Sequence, residues 1–214
     1  PGRPSRRTRG DAAVYAGAEP VFADIKSNTR NIDPDAVREG ITDDTVGLVP
    51  MHYAGQPCEI DELLAIADDH NLTVIWDACH ALGSEWQGNK VGSHRDMAMF
   101  SFHPVKNITT AEGGVVVTDD DALSERLRSL RSFEMDYSPV GHEDEPWYQV
   151  AEGIGYNYNF TDIQAALGRV QLDRIEEFKR RRDEIISQYN DAFDSVSGLK
   201  PPTVKNDVDP MFHL

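Results

Sequence analysis

Residues 97–120, "MAMFSFHPVKNITTAEGGVVVTDD", contain two apolar runs that predict β-strands, joined by about ten residues. This connection is too short for a long helix. It carries a single lysine, Lys106, in front of the glycine pair Gly113 and Gly114. Earlier strands in the chain are separated by segments of helical length, so the order of elements changes at this stretch.

Upstream of this stretch, apolar strand patterns alternate with helical patterns. The predicted strands are 20–25, 45–53 and 72–79, and the predicted helices are 31–41 and 59–71. Asp33 and Pro34 suit the N-cap and the first position of the first helix. In the second helix, the apolar residues Ile60, Leu63, Leu64 and Ala67 share one face. The alternation predicts an α/β fold with parallel strands and helical crossovers.

Downstream of the stretch, the pattern becomes helical. Residues 120–133 predict a helix with acidic residues at its start and arginines toward its end. A long loop is predicted for 134–160, a length that is often functional. Thr161 and Gln164 form a capping-box pattern that begins a helix reaching to about Phe193.

The overall charge and composition exclude several classes of partner. The formal net charge of −16 at pH 7 would repel nucleic acid and anionic membrane surfaces. No apolar run approaches the roughly 20 residues that span a bilayer. The two cysteines, Cys58 and Cys79, are too few for a disulfide framework and lack metal-ligand spacing. We therefore expect a reduced, acidic, cytoplasmic protein that binds neither nucleic acid nor membrane.

The first nine residues, "PGRPSRRTR", differ from the rest of the chain. They contain four arginines and no acidic residue. The segment is either a disordered basic tail or sequence that does not belong to the domain.

Two candidate site residues follow the strand predicted at 72–79. Asp77 stands at the carboxyl end of that strand, where ligands bind in open parallel sheets. It either caps the next turn or accepts a hydrogen bond from a cationic ligand atom. His80, three residues later, is either a packed histidine or a catalytic one.

Lys106 also has two interpretations when it is taken alone. It is a surface-loop lysine, which is the commoner case, or an amine that forms a Schiff base with an aldehyde cofactor. Such an amine must lose its proton, which burial and nearby cationic charge favour. Ser101, His103 and the turn 107–110 ("NITT") would supply hydrogen bonds that suit a phosphate group.

Taken together, these motifs resemble one family. The stretches "DACHALGSEWQGNKVGSHRDMAMFSFHPVKNITTAEGGVVVTDD", "PMHYAGQPCEIDEL" and "GIGYNYNFTDIQAALGRVQL" closely resemble the DegT/DnrJ/EryC1/StrS sugar aminotransferases, which use pyridoxal 5′-phosphate. The resemblance covers about residues 12–214. It implies the type I fold of pyridoxal-phosphate enzymes, a three-layer α/β/α sandwich with a mostly parallel sheet.

The resemblance also implies a role for each candidate residue. Lys106 would bind the cofactor covalently and then act as the general acid and base. Asp77 would pair with the protonated pyridine nitrogen, His80 would lie beside the ring, and Ser101 would hold the phosphate. Asn157 would reach the phosphate of the neighbouring subunit in a homodimer. Asn159 stands where the family commonly has arginine, so it is a second candidate for that contact.

The implied reaction moves an amino group from glutamate to a keto-sugar attached to a nucleotide. The segment from "PWYQV" to "GYNY" most resembles members that aminate C4 of a UDP-linked 4-keto-6-deoxy hexose. Such amino sugars are used for surface polysaccharides and glycans. The related sugar dehydratases replace the lysine with histidine, so Lys106 argues against them.

Family members are longer at both ends, so we expect a partial chain. Residues 1–11 would be an atypical basic segment, 12–195 part of the large cofactor-binding domain, and 196–214 the start of a smaller C-terminal domain whose first strand is "PMFHL". Alternatives to an active enzyme are a non-catalytic fragment and a regulatory or binding homologue. Lys106 argues against a binding protein, which needs no Schiff-base amine.

Overall fold

The computed structural model describes residues 4–136 and 141–213, and the side chains of 4–9 lie outside that description. Helices and mostly short strands follow one another along these residues. The helices are α1 (Pro4–Tyr15), α2 (Pro34–Gly40), α3 (Ile60–His70), α4 (Asp121–Leu130), α5 (Asp162–Asp173) and α6 (Ile175–Phe193). The strands are β1 (Gly47–Leu48), β2 (Thr73–Asp77), β3 (Glu85–Trp86), β4 (Asn89–Lys90), β5 (Met97–Ser101), β6 (Gly114–Thr118), β7 (Met135–Asp136), β8 (Val150–Ala151) and β9 (Val208–Asp209).

The main sheet has the order β1-β2-β5-β6. β1, β2 and β5 are parallel, with Leu48 opposite Val74 and Asp77 opposite Met99. β6 runs antiparallel to β5, from Met97 opposite Thr118 to Ser101 opposite Gly114. The prediction of an α/β fold with a mostly parallel sheet is confirmed. The short connection between β5 and β6 is what reverses the direction of the last strand.

Two smaller sheets lie outside the main one. β3 pairs antiparallel with both β4 and β9, so the chain near its C-terminus returns to residues 85–90. β7 and β8 form a two-stranded ladder within the segment that the sequence predicted as a loop. Residues 137–140 of that predicted loop lie outside the described residues.

The core forms where α3 packs on β2 and its neighbours. Ile60, Leu63 and Ala67 of α3 are completely buried, as their helical spacing predicted, and Leu64 is partly buried. They meet Val74, Trp76, Ala98 and Phe100, which alternate along β2 and β5. α3 is capped by Asn71, which adopts the left-handed conformation (φ 52°) and donates its N–H to the Ala67 and Asp68 carbonyls.

The predicted helix starts are confirmed. The Asp33 side chain accepts from the Asp35 N–H at the start of α2, with Pro34 in the first position. Thr161 and Gln164 form a complete capping box at the start of α5. The long helix predicted after them is wrong in one respect, because Arg174 (φ −103°) separates α5 from α6.

Other predicted elements differ from the structure. The strand predicted at 20–25 is wrong: only Ile25 forms a bridge, to Ile32, and Val21 and Phe22 are exposed without a strand beside them. Within 45–53, only Gly47–Leu48 form a strand. "PMFHL" was predicted to open a strand, but the strand in this region is β9, just before it.

The basic segment at the start of the chain is helical from Pro4 onward, within α1. Residues 1–3 lie outside the description, and both interpretations of the basic segment stay predictions. The proposed division into segments at 11 and 195 stays a prediction. In the described part of the chain, no helix has the length and apolar character needed to cross a bilayer.

Candidate active site

Asp77 is the last residue of β2, at the carboxyl end of the parallel strands. Its backbone continues the sheet: its N–H donates to the Pro50 carbonyl (2.9 Å) and its carbonyl accepts from the His52 N–H (3.0 Å). Its side chain is buried, and Oδ1 accepts from the Cys79 N–H at 3.1 Å. Asp77 therefore does cap the following turn. A carboxylate can accept several hydrogen bonds at once, so a side chain that caps a turn can also accept one from a cationic ligand atom.

His52 lies beside Asp77 but does not carry a positive charge. Its ring is completely buried against Trp76, with centroids 5.3 Å apart, and its Nδ1 accepts from the Cys58 N–H at 3.1 Å. Burial, assisted by nearby His94, lowers the pKa of His52 to about 3, and Asp77 opposes this only partly. At neutral pH the negative charge of Asp77 is therefore not neutralised by His52.

His80 is held in place by the turn that follows β2. The Ala78 N–H donates to the Met99 carbonyl on β5 (2.9 Å), and the Ala81 N–H donates to the Ala78 carbonyl (2.9 Å). This turn places the His80 ring next to the backbone N–H of Ala54, which donates to its Nδ1 at 3.4 Å. His80 is thus packed, as one interpretation held, yet it lies three residues from Asp77 on the same edge of the sheet.

Lys106 lies in the loop between β5 and β6. The loop is closed by hydrogen bonds from the Phe102 N–H to the Gly113 carbonyl (2.8 Å) and from the Thr110 N–H to the Phe102 carbonyl (3.0 Å). The Lys106 N–H itself donates to the His103 carbonyl (2.9 Å). Lys106 is half-buried, and the two residues that follow it in the chain are buried. Lys106 therefore stands on a tight, anchored turn and not on a freely exposed loop.

The glycine pair after Lys106 is required by the packing of this loop. A Cβ at Gly114 would lie 2.7 Å from the Phe100 carbonyl oxygen, and one at Gly113 (φ 145°) would lie 2.5 Å from the Phe160 ring. Only glycine allows these approaches. Phe160 directly precedes the capping residue of α5, so the glycine pair lets the start of α5 pack on the Lys106 loop.

Ser101 ends β5, two residues beyond the partner of Asp77, which is about 7 Å along the strand. Its Oγ accepts from the His103 N–H at 3.3 Å. His103 is exposed, and its Nδ1 accepts from the Val105 N–H at 3.4 Å. The hydroxyl of Ser101 therefore lies at the entrance of the turn that carries Lys106.

Asn157 and Asn159 are joined to each other and to Ser132 by side-chain hydrogen bonds. The Asn159 Nδ2 donates to the Asn157 Oδ1 (3.0 Å), and the Asn159 Oδ1 accepts from Ser132 (3.0 Å). Both asparagines are exposed. Within the described residues, their hydrogen bonds do not connect them to Lys106 or Asp77. The structure thus brings four of the six predicted residues to one edge of the sheet, and the hydrogen bonds given above for Asn157 and Asn159 join them to each other and to Ser132.

Sequence reasoning missed the residues that complete this edge from the C-terminal side. Residues 208–213, which we call the C-terminal segment, pass next to the Lys106 loop and the turn that carries His80. Asn107 Nδ2 donates to the Met211 carbonyl (3.3 Å), and the His213 ring contacts the His80 ring with centroids 4.1 Å apart. These pairs are more than 100 residues apart in sequence, and no local pattern signals such a contact.

The groups at this edge fit pyridoxal 5′-phosphate. Asp77 offers a buried carboxylate for a protonated ring nitrogen, His80 an aromatic ring, Lys106 an amine and Ser101 a hydroxyl for a phosphate oxygen. Burial lowers the pKa of neighbouring His52 to about 3, so His52 adds no positive charge beside Asp77 at neutral pH. The described residues contain no cluster of three or more side chains suited to a metal ion.

Comparison with known proteins agrees with this fit. The sequence profile of the DegT/DnrJ/EryC1/StrS aminotransferase family matches residues 8–214. The chain is 44% identical over 207 residues to the uncharacterized protein MJ1066 of Methanocaldococcus jannaschii, covering 96% of this chain and 54% of that protein. It is 41% identical over 207 residues to the spore coat polysaccharide biosynthesis protein SpsC of Bacillus subtilis, covering 94% of this chain and 52% of that protein. The chain thus spans about half the length of these curated relatives.

Solved structures show the same fold. DesV of S. venezuelae superposes with a TM-score of 0.86 at 32% identity, covering 96% of this chain and 53% of that one. The PLP form of Spr1654, a putative sugar aminotransferase from Streptococcus pneumoniae, superposes with a TM-score of 0.84 at 30% identity, covering 95% of this chain and 55% of that one. The predicted type I fold and the predicted cofactor of the family are confirmed. With the profile match over nearly all of its residues, the chain belongs to the DegT/DnrJ/EryC1/StrS aminotransferase family.

Proposed function

We propose that this chain belongs to a pyridoxal-phosphate-dependent transaminase that moves an amino group from glutamate to a nucleotide-linked keto-sugar. The amino group replaces the carbonyl oxygen of the sugar, and glutamate leaves as its 2-oxo acid. The observation that carries the proposal is the position of Lys106, on an anchored turn at the sheet edge that also holds Asp77 and His80. The spore coat polysaccharide role in the name of SpsC supports a sugar substrate.

Each residue at the sheet edge has a proposed task. When bound, the cofactor supplies an electron sink that stabilises negative charge at the substrate carbon. Lys106 would hold the aldehyde group of the cofactor through its amine; once the amine of the amino donor takes that place, the released Lys106 amine would carry a proton from one carbon to another. Asp77 holds the proton on the pyridine nitrogen, since an opposite charge favours the protonated form. His80 packs against the ring, and the Ser101 hydroxyl donates to the phosphate.

We also propose that the protein acts as a homodimer. Near Asn157 and Asn159, the described chain exposes large apolar side chains: Ile154 is 92% exposed, Trp147 75% and Tyr158 69%. Exposed apolar patches of this kind mark protein interaction sites. A second copy that covers this surface would bring the two asparagines toward a site on the neighbouring subunit, which fits their lack of hydrogen bonds to Lys106.

The first test is direct detection of the cofactor on Lys106. The purified protein should absorb visible light when pyridoxal phosphate is added, and borohydride should fix the pyridoxyl group on the peptide that contains Lys106. Lys106→Ala should lose both signals. Lys200→Ala, which removes an exposed lysine, is the matched control and should keep both. Equal reducible absorbance in Lys106→Ala and in the parent would refute the assignment.

The second test concerns the substrate. With glutamate as donor, the protein should release its 2-oxo acid only when a nucleotide-linked keto-sugar is present. UDP-linked 4-keto-6-deoxy hexoses are the first sugars to try, together with the same sugars on another nucleotide. Turnover with free keto-sugars at the same rate would contradict the requirement for a nucleotide.

A further inference from the structure

The C-terminal segment (208–213) is held beside the candidate site by hydrogen bonds to the residues around that site. The Met211 N–H donates to Ser84 Oγ (2.8 Å), and the His213 N–H donates to the Ala54 carbonyl (3.1 Å). Arg182 of α6 donates to the Phe212 carbonyl at 2.9 Å. Gly55 (φ 95°) makes room for this path, because a Cβ there would lie 2.0 Å from the Met211 carbonyl oxygen.

This path brings the ring of His213 against that of His80. The two rings meet edge to face, with centroids 4.1 Å apart and an interplanar angle of 61°. The backbone of Ala54 forms hydrogen bonds with both residues: its N–H donates to His80 Nδ1, and its carbonyl accepts from the His213 N–H. His213 therefore limits the orientations that the His80 ring can take.

The surroundings of His213 favour the neutral form of its ring. Burial lowers its pKa, and the cations Lys106 and Arg182 lower it further, while its own backbone carbonyl opposes the change. Both ring nitrogens are buried, and neither forms a hydrogen bond with another described residue. His213 thus lies within electrostatic reach of Lys106 without adding a second positive charge to the site.

We propose that His213 is a positioning residue of the active site, which fixes the His80 ring against the bound cofactor through their edge-to-face contact. This inference rests on the proposed function, because it is the cofactor that His80 would contact. An edge-to-face aromatic pair contributes about 1 kcal/mol, which corresponds to about a fivefold change in affinity when the contact is lost.

The test uses two substitutions at His213 and a matched control. His213→Ala removes the ring, while His213→Phe keeps an aromatic edge and removes the nitrogens. His94 is the control because it is also a half-buried histidine with a lowered pKa, and its ring meets Trp86 edge to face (centroids 5.4 Å, 78°). It precedes the amino end of β5, away from the carboxyl end where Asp77 lies.

Two measurements separate positioning from general loosening of the fold. The first is the dissociation constant for pyridoxamine 5′-phosphate, which has no aldehyde and so binds without a covalent bond to Lys106. The second is the NMR signal of the His80 ring in cofactor-free protein. His213→Ala should weaken binding about fivefold and shift the His80 signal, and His213→Phe should restore both. His94→Ala should change neither, although its thermal midpoint should fall.

Several results would overturn the inference. Parent-like binding by His213→Ala would do so, as would equal weakening by His94→Ala. If His213→Ala does not fold, His213→Leu takes its place, since it fills the volume without an aromatic edge. If the parent binds neither pyridoxal nor pyridoxamine phosphate, the proposed function fails; an unchanged His80 signal in cofactor-free His213→Ala refutes the positioning role separately.

Discussion

Replacing Asp77 by asparagine tests whether this residue acts through its charge. In the parent, the Cys79 N–H donates to Asp77 Oδ1 at 3.1 Å. Asparagine keeps the shape of the side chain and an oxygen that can accept this bond. The turn after β2 should therefore survive, and the free energy of unfolding should change by about 1 kcal/mol or less. What disappears is the negative charge that would hold a proton on the pyridine nitrogen.

The size of the effect follows from the burial of Asp77. The residue is only 5% exposed, so water screens it little. Two opposite charges about 4 Å apart attract by roughly 4 kcal/mol at an effective dielectric constant of about 20. This corresponds to about three units in the pKa of the ring nitrogen. Because His52 is neutral, it cannot replace or offset this charge. We expect transamination to fall by roughly 100- to 1000-fold.

The assay is release of the 2-oxo acid from glutamate, measured beside the thermal midpoint and the visible absorbance. Asp96→Asn is the matched control, because Asp96 also accepts a backbone N–H of β2, that of Val74 (2.7 Å), but at the other end of the strand. It should keep its rate. Equal rates in Asp77→Asn and the parent would make Asp77 a turn cap alone, and equal losses in both variants would point to the fold instead of the charge.

Three further predictions concern the interface, the acid stability and the C-terminal segment. Mixing Lys106→Ala subunits with Asn157→Ala subunits should restore activity that neither has alone, because one site of a mixed dimer keeps both residues; mixed dimers without activity would refute a shared site. As pH falls from 6.5 toward 3, the free energy of unfolding should drop by roughly 4 kcal/mol in total because of His52, since this residue binds a proton in the unfolded chain but not in the folded one. Urea unfolding of His52→Asn should therefore lose less stability than the parent between pH 6.5 and 4, and parallel curves would contradict the depressed pKa. Gly55→Ala should displace the C-terminal segment and weaken cofactor binding, whereas Gly88→Ala, also at positive φ but with open space around its Cβ position, should only lower the thermal midpoint; equal cofactor affinity in the two variants would oppose this.

The local elements were predicted wherever a short stretch of sequence determines them. The capping box at Thr161 and the N-cap at Asp33 depend on residues within four positions of each other, and both are present. The strand predicted at 20–25 failed for the opposite reason. An apolar run becomes a strand only if another strand supplies its hydrogen bonds. In the described structure, Val21 and Phe22 have no such neighbour.

The part of the candidate site formed by the sheet was predictable, because three of its residues lie at or just after the ends of two neighbouring strands. Asp77 ends β2, His80 follows three residues later, and Ser101 ends β5, so the parallel pairing of these strands brings them together. Lys106 follows within the β5–β6 connection. The resemblance to a family supplied their expected roles, which the geometry alone would have left open. Asn157 and Asn159 were predicted to act on a neighbouring subunit, and their exposure agrees with that role without testing it.

The C-terminal side of the site could not be predicted, because it depends on backbone atoms that carry no residue-specific signal. Asn107 and Arg182 donate to carbonyl groups of the C-terminal segment, and any residue offers a carbonyl. The signal lies instead in the donors: a buried asparagine directly after Lys106 needs a partner for its amide. Once β5 and β6 are paired, the amide of Asn107 has to be satisfied from another part of the chain. The segment that satisfies it is also the one that carries His213 to His80, so a structural hydrogen bond and a site contact arise from the same packing.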